Sequence, residues 1–180
     1  DRTLIWRMVQ DHVQPNLLFA ATEVGIYFTV NGGGKWIKLA GSPTIPFRDL
    51  AIQKRENDLV GAYFGRSFFI LDDYSPLREI STETLQKEVV LFKPKKALHY
   101  IPKSIIGSYG AQEYIAPNPD FGATFTYYLK ASLEKDKKAD KDAFPSWAEL
   151  DAKKRAEKPA ILLTVRDATG QVVRQIGGKT

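Results

Sequence analysis

Short runs of apolar residues, separated by polar turns, fill the first 75 positions and repeat at a fixed distance. The run over residues 17–31 recurs in outline over residues 59–73, with an offset of 42 residues and no gap. A period of about 40–45 residues that is carried by short apolar runs, rather than by helical spacing, is typical of β-propeller blades. Because a blade buries its faces only against its neighbours, the pattern predicts a piece of a repeat protein.

The same pattern predicts the strands of two blades. In the first blade, four strands are expected over residues 4–9, 17–21, 24–29 and 35–39. In the second blade, three strands are expected over residues 47–52, 58–64 and 67–71, and no fourth strand follows. A missing strand suits the last blade of a ring, which is often completed by the other terminus. We therefore expect the propeller to end near residue 75, with a short helix after the N-cap residue Ser81.

The pattern changes after residue 75. Residues 76–120 contain Pro at spacings that prevent regular helix and central strand, so they predict an ordered linker that includes the short helix. Residues 121–130 alternate between apolar and polar side chains, and residues 159–176 predict a hairpin. We expect part of an immunoglobulin-like β-sandwich over residues 121–180. The charged insertion over residues 134–158, with a helix that opens at Ser146, is expected to be a surface excursion rather than a binding helix.

Composition narrows the function classes. Of 180 residues, 43% are hydrophobic, and the net charge of +5 is not concentrated in a basic stripe with stacking aromatics, so no nucleic-acid partner is expected. The sequence has no Cys and two distant histidines, so neither a metal nor a cofactor is expected. No apolar stretch approaches the roughly 18 residues of a membrane span. The chain starts at Asp1 and stops within a hairpin, so we expect an excised fragment.

Residues 29–36, Thr-Val-Asn-Gly-Gly-Gly-Lys-Trp, resemble the Asp-box hairpin of neuraminidase-repeat propellers, Ser/Thr-x-Asp-x-Gly-x-Ser/Thr-Trp. Thr29, Gly33 and Trp36 fit the pattern, whereas Asn31 replaces the usual Asp and Lys35 replaces the usual hydroxyl residue. Asn31 is still expected to bond backbone amides in the turn, while the glycines supply positive φ and Trp36 covers the sheet. The resemblance extends over residues 1–75 to the Asp-box propellers of sortilin-type receptors and xyloglucan-hydrolase-type enzymes.

Residues 65–73 and 75–78 are similar to the last propeller blade of large exported bacterial proteins of the BNR-repeat glycosyl hydrolase type. Those proteins resemble sortilin in the propeller and carry a β-sandwich after it. The resemblance implies a mainly-β fold, in which the terminal blades of an Asp-box β-propeller are followed by a partial immunoglobulin-like β-sandwich. It also implies export, so the protein is expected to be periplasmic, at the outer surface or secreted.

The favoured interpretation is a non-catalytic carbohydrate- or protein-binding module of an exported repeat protein. The alternative is the C-terminal part of a propeller glycoside hydrolase whose catalytic residues lie upstream, so no residue of this chain is assigned a catalytic role. Asp72 and Asp73 are the most suggestive carboxylates, but neighbouring strand residues point to opposite faces, and a chain reversal is favoured there. The binding candidates are Trp6, which could stack on a sugar, Arg66, Asp72 and Asp73, and Arg48 joins Arg66 as a candidate for a sialidase-like arginine. Open strand edges are expected to pair with the rest of the propeller or with another copy of the chain.

Overall fold

The structure is a computed structural model, and it describes residues 3–65, 67–101, 121–131, 146–148, 151 and 161–178. The chain divides into two compact units, Asp1–Tyr128 and Leu129–Thr180. Within the described residues, the strands form four separate sheets, and none of these sheets is closed. The mainly-β class expected from the sequence is therefore confirmed.

The first sheet has four strands in the order β1-β2-β3-β4, each antiparallel to its neighbour. They are β1 (Ile5–Gln10), β2 (Leu18–Thr22), β3 (Gly25–Thr29) and β4 (Ile37–Lys38). All four strands predicted for the first repeat are present, and they lie in space in the order in which they follow along the chain.

The second sheet has three antiparallel strands, β5 (Phe47–Gln53), β6 (Asp58–Tyr63) and β7 (Ser67–Leu71), as the second repeat predicted. A 3-10 helix, Ser75–Glu79, and the short helix α1, Thr82–Gln86, follow it. Ser81 is the N-cap of α1, because its Oγ accepts a hydrogen bond from the Thr84 amide at 3.1 Å. The predicted helix start is therefore confirmed.

The two sheets have the same strand register. Every β1–β2 pair maps onto a β5–β6 pair when β1 is shifted by 42 residues and β2 by 41, so that Met8↔Ala20 corresponds to Leu50↔Gly61. Every β2–β3 pair maps onto a β6–β7 pair when β3 is shifted by 42 residues. Two sheets that share all these pairings are structural repeats of one another.

This register corrects the ungapped offset of 42 residues. The offset holds for the first and third strands, but it is wrong by one residue for β2. The cause is a difference in loop length, since Thr22 pairs with Gly25 across two residues, whereas Tyr63 pairs with Ser67 across three. Because side chains alternate along a strand, an error of one residue exchanges the buried and outward-facing positions.

The core of the first unit lies between the two sheets. It contains residues of both sheets and of the segment that follows β7, namely Leu17, Phe19, Ala21, Ile26, Leu39, Phe47, Leu50, Leu59 and Tyr74. At Gly61 the two sheets approach closely, because an added Cβ would lie 3.1 Å from Ile26 Cδ1 of the first sheet. The same Cβ would lie 2.8 Å from Phe47 Cε1 of its own sheet. The equivalent of Gly61 in the first sheet is Ala20, which points away from this core. The sheets therefore stack in the same orientation, one behind the other.

A further strand lies within the segment predicted as a linker. Strand β8 (Val89–Leu91) pairs with β9 (Tyr127–Leu129). Next to this pair, the Phe92 amide donates a hydrogen bond to the Thr126 carbonyl at 3.0 Å. Of the strand predicted over residues 121–130, the structure therefore forms only the last part, and it pairs with the linker segment.

The second unit contains the predicted hairpin, formed by β10 (Ile161–Arg166) and β11 (Val172–Gly178). Asp167 holds the turn, because its Oδ1 accepts hydrogen bonds from the amides of Thr169 and Gln171, each at 2.9 Å. These hydrogen bonds lower the pKa of Asp167, the bond from the Thr169 side chain most of all. The hairpin is an element that a β-sandwich requires, and the sandwich itself stays a prediction.

The charged insertion over residues 134–158 lies mostly outside the described residues. Within it, Trp147, Ala148 and Asp151 have helical backbone, at the place where a helix was predicted to follow Ser146. Trp147 is 84% exposed.

Candidate functional site

Four side chains of the two first strands form an exposed group, here called the first-strand surface, which consists of Trp6, Arg7, Arg48 and Asp49. The Arg48 guanidinium lies over the Trp6 ring, with its Cζ 3.7 Å from the ring centroid. Arg7 Nε lies 3.5 Å from Asp49 Oδ1. The strand register shifts at Trp6 in β1 and at Arg48 in β5, so these two residues occupy equivalent irregularities. The structure thus brings together two of the residues that the sequence singled out, Trp6 and Arg48.

The first-strand surface is held by weak interactions. A cation–π contact at an exposed site contributes about 0.5–1 kcal/mol, and an exposed ion pair contributes about 0–1 kcal/mol. Trp6 remains 41% exposed, and the side chains of Arg7 and Asp49 are more than half exposed. A ligand can therefore contact an aromatic ring, two guanidinium groups and a carboxylate here without unpacking the core.

Asp72 and Asp73 lie outside the strand, because β7 ends at Leu71 and the 3-10 helix begins at Ser75. Asp73 has a φ of 44°, and its Oδ1 accepts hydrogen bonds from the Ser75 hydroxyl at 2.6 Å and from the Ser75 amide at 3.3 Å. The Asp73 amide donates to Asp58 Oδ1 at 3.0 Å. The 3-10 helix Ser75–Glu79 follows these two residues, so the argument from alternating strand faces does not apply to them, and the chain reversal stays a prediction.

Both carboxylates line a cavity of about 340 Å³ that also contains Glu56, Asp58 and Lys95. Glu56 forms an ion pair with Lys95, and the hydrogen bond and charge of Lys95 lower the pKa of Glu56. A general acid in glycoside hydrolysis needs a raised pKa. Because the pKa of Glu56 is lowered, its side chain favours the charged form and does not suit that role. Trp6 does not line this cavity, and the fourth binding candidate, Arg66, lies outside the described residues.

The hairpin between β3 and β4 has the hydrogen bonds that were expected of it. Thr29 Oγ1 donates to Asn31 Oδ1 at 2.8 Å and accepts from the Gly33 amide at 3.1 Å. Asn31 Oδ1 also accepts from the Lys35 amide at 3.0 Å, while Gly32 and Gly33 have φ values of 69° and 105°. Thr29 is fully buried and Trp36 is half-buried. These residues shape the turn, and they do not form an open binding surface.

A buried ionic cluster, which the sequence did not indicate, joins the loop after β1 to the segment after β7. Asp11 has no exposed side-chain surface. Its carboxylate accepts hydrogen bonds from Tyr74 Oη at 2.6 Å, from Arg78 Nε and Nη2 at 2.8 Å each, and from the Gln14 amide at 2.7 Å. Arg78 Nη2 also donates to Asn57 Oδ1 at 2.7 Å. We call Asp11, Asn57, Tyr74 and Arg78 the Asp11 cluster.

The electrostatics of the Asp11 cluster favour the charged carboxylate. Burial alone would raise the pKa of Asp11, but the hydrogen bonds from Arg78, Tyr74 and the Gln14 amide, together with the charge of Arg78, hold it well below its usual range. Burial and the hydrogen bond to Asp11 raise the pKa of Tyr74, and the same carboxylate raises the pKa of Arg78. Each group stays in one protonation state near neutral pH, so the cluster is suited to holding the fold and not to transferring a proton.

The comparisons with known proteins find no match, whether with a family model, a curated protein or a solved structure. None of the helices in the described residues is long and apolar enough to cross a membrane.

Proposed function

We propose that this chain is a non-catalytic binding module of an exported β-propeller protein, and that its first-strand surface binds carbohydrate. The observation that carries the proposal is the exposed Trp6 ring, with Arg48 stacked on it and with Arg7 and Asp49 beside it. An aromatic ring offers an apolar face to the C–H groups of a sugar. Guanidinium and carboxylate groups donate and accept the hydrogen bonds that sugar hydroxyls need.

Three observations support blades of a propeller. The two sheets share one register and stack in the same orientation, as consecutive blades do. Their first strands, β1 and β5, are neighbours, and the first strand of each blade lies nearest the central channel of a propeller. In the hairpin over residues 29–36, Asn31 Oδ1 accepts hydrogen bonds from the Thr29 hydroxyl and the Lys35 amide, as the resemblance to an Asp-box implies for its aspartate. On this proposal the first-strand surface faces the channel.

Export is part of the proposal, and it rests on the resemblance of residues 65–78 to exported BNR-repeat proteins. The same resemblance supports a sortilin-like propeller followed by an immunoglobulin-like sandwich, to which the hairpin of the second unit contributes two strands.

Calorimetric titration of the full chain with a panel of neutral and acidic oligosaccharides, including a sialoside, tests the function. We expect at least one sugar to bind and the Trp6→Ala variant to bind it at least tenfold more weakly, because the stacking ring is lost. The matched control is Trp147→Ala, which removes an exposed tryptophan of the second unit and should leave the affinity unchanged. No binding by any sugar, or equal binding by the Trp6→Ala variant, would overturn the proposal.

The alternative, a glycoside hydrolase, is tested by product analysis of the same mixtures. Release of sugar products that stops in an Asp72→Asn or Asp73→Asn variant would favour it, because those carboxylates share one cavity. Unchanged oligosaccharides in every mixture agree with the binding module.

A further inference from the structure

The second sheet has an apolar face that is not covered. Val60 and Ala62 on β6, with Phe68 and Ile70 on β7, alternate with the residues that face the core, so they point away from it. Phe68 is 71% exposed and Ile70 is 57% exposed. We call these four residues the outer face of the second sheet.

Each of these residues has an equivalent in the first sheet that faces the core. In the shared register, Val60, Ala62, Phe68 and Ile70 correspond to Phe19, Ala21, Ile26 and Phe28. Phe19, Ala21 and Ile26 are buried in the core between the sheets, and Phe28 packs against it. All eight residues are apolar. The outer face of the second sheet therefore repeats, position by position, the surface through which the first sheet contacts the second.

The complementary surface is also present on the chain. Ile26 packs against the second sheet at Gly61, with its Cδ1 3.1 Å from the position of an added Cβ. The equivalent of Gly61 is Ala20, which lies between its pairing partners Met8 and Tyr27 on the face of the first sheet that points away from the second. Ala20 itself is 1% exposed, Tyr27 is half-buried and Met8 is 48% exposed, so Met8 offers the most accessible part of this face. We call Met8, Ala20 and Tyr27 the outer face of the first sheet.

We propose that the outer face of the second sheet docks onto the outer face of the first sheet of a second copy of this chain. The contact continues the interface inside the first unit, so Phe68 of one copy takes the place over Ala20 of the other that Ile26 takes over Gly61. The sheets stack face to face, and no strand edges pair. Because two different surfaces meet, the association is head-to-tail, and it grows into a ring or a filament unless one face is blocked. The proposal does not depend on carbohydrate binding.

Sedimentation velocity of the full chain, from low to high micromolar concentration, tests the proposal. We expect dimers and larger species that dissociate on dilution. A Phe68→Glu variant places a charge in one face and should be monomeric, and a Met8→Glu variant should be monomeric for the same reason at the other face. Both residues are at least 48% exposed, and circular dichroism checks that both variants fold. The matched control is Val173→Glu in β11, also exposed, which should associate like the parent chain.

Mixing the two monomeric variants decides the geometry. The Phe68→Glu chain keeps an intact first-sheet face, and the Met8→Glu chain keeps an intact second-sheet face, so an equimolar mixture should form a dimer. The mixture should not grow beyond a dimer, because each of the two faces left free in that dimer carries a glutamate substitution. A parent chain that is monomeric at every concentration, or a Met8→Glu variant that associates like the parent, would overturn the proposal.

Discussion

The most direct test of the packing of the core around Gly61 is the substitution Gly61→Ala. Gly61 lies in β6, and its φ is not in the left-handed region, so the backbone accepts Ala without strain. The added Cβ would lie 2.8 Å from Phe47 Cε1, 2.9 Å from Phe47 Cδ1 and 3.1 Å from Ile26 Cδ1. Real Cβ contacts are longer than this. Because Phe47 lies in the same sheet as Gly61 and Ile26 lies in the other, the substitution tests how tightly the core packs around Gly61.

Two opposing effects determine the size of the change. Replacing Gly by Ala at a compatible position stabilises by about 0.4–1 kcal/mol, because the unfolded chain loses freedom. Overpacking a core costs about 1–3 kcal/mol. Phe47 is fully buried and makes edge-to-face contacts with Tyr63 and Phe69, with ring centroids 5.5 Å and 6.1 Å apart. Since Phe47 has little room to move, we expect a net loss of about 1–2 kcal/mol in the free energy of unfolding.

Urea unfolding followed by tryptophan fluorescence measures this loss. The matched control is Gly177→Ala in β11, where an added Cβ meets no atom within 4 Å, and its free energy of unfolding should not decrease. The double variant Gly61→Ala/Phe47→Leu should lose less than the sum of its single variants, because the smaller side chain makes room. A Gly61→Ala chain as stable as the parent would refute the close packing described around Gly61.

Three further outcomes are expected from unfolding measurements. Arg78→Ala leaves the Asp11 carboxylate buried without its cation and should cost about 3 kcal/mol, whereas Arg55→Ala, at an exposed ion pair with Glu56, should cost less than about 1 kcal/mol. The folded pKa of Asp11 is lowered, so its contribution to stability is complete above the unfolded value near 3.9 and is lost as the pH falls toward the folded pKa. The Asp11→Asn variant should therefore be less stable at neutral pH, with a difference from the parent that narrows in acid. Thr29→Ala removes three hydrogen bonds of a buried hydroxyl and should cost about 1–2 kcal/mol, and equal stability would contradict its role in the hairpin.

The strands of the first unit could be predicted because short apolar runs between turn residues determine them locally. The relation between the repeats could not be predicted to the residue. The loop before Ser67 is one residue longer than the turn before Gly25, and apolar residues at both alternating positions of β2 and β6 conceal the shift. Leu18 and Phe19 are both apolar, and so are Leu59 and Val60, so the sequence cannot show which face each strand buries.

The first-strand surface and the Asp11 cluster also differ in how far the sequence predicts them. Trp6 and Arg48 could be selected by residue type, but their contact depends on the stacking of β1 beside β5. The Asp11 cluster could not be predicted, because Asp11 is separated from Tyr74 by 63 positions and from Arg78 by 67. Residues so far apart along the sequence form no local pattern, and only the folded sheets bring Asp11, Tyr74 and Arg78 together.

The order in which the Asp11 cluster is synthesised affects how the first unit folds in the cell. Ribosomes add about 5–20 residues per second, so Arg78 follows Asp11 by about 3–13 seconds. During that interval the first sheet can pair its strands, and the Val13 and Gln14 amides can donate to the Asp11 carboxylate, but the carboxylate lacks the cation that offsets its burial. The loop after β1 can close through its own backbone hydrogen bonds, but it lacks the bonds from Tyr74 and Arg78 while the second sheet is added. The ion pair can form only after Arg78 has been added, so completion of the first unit depends on residues beyond the second sheet.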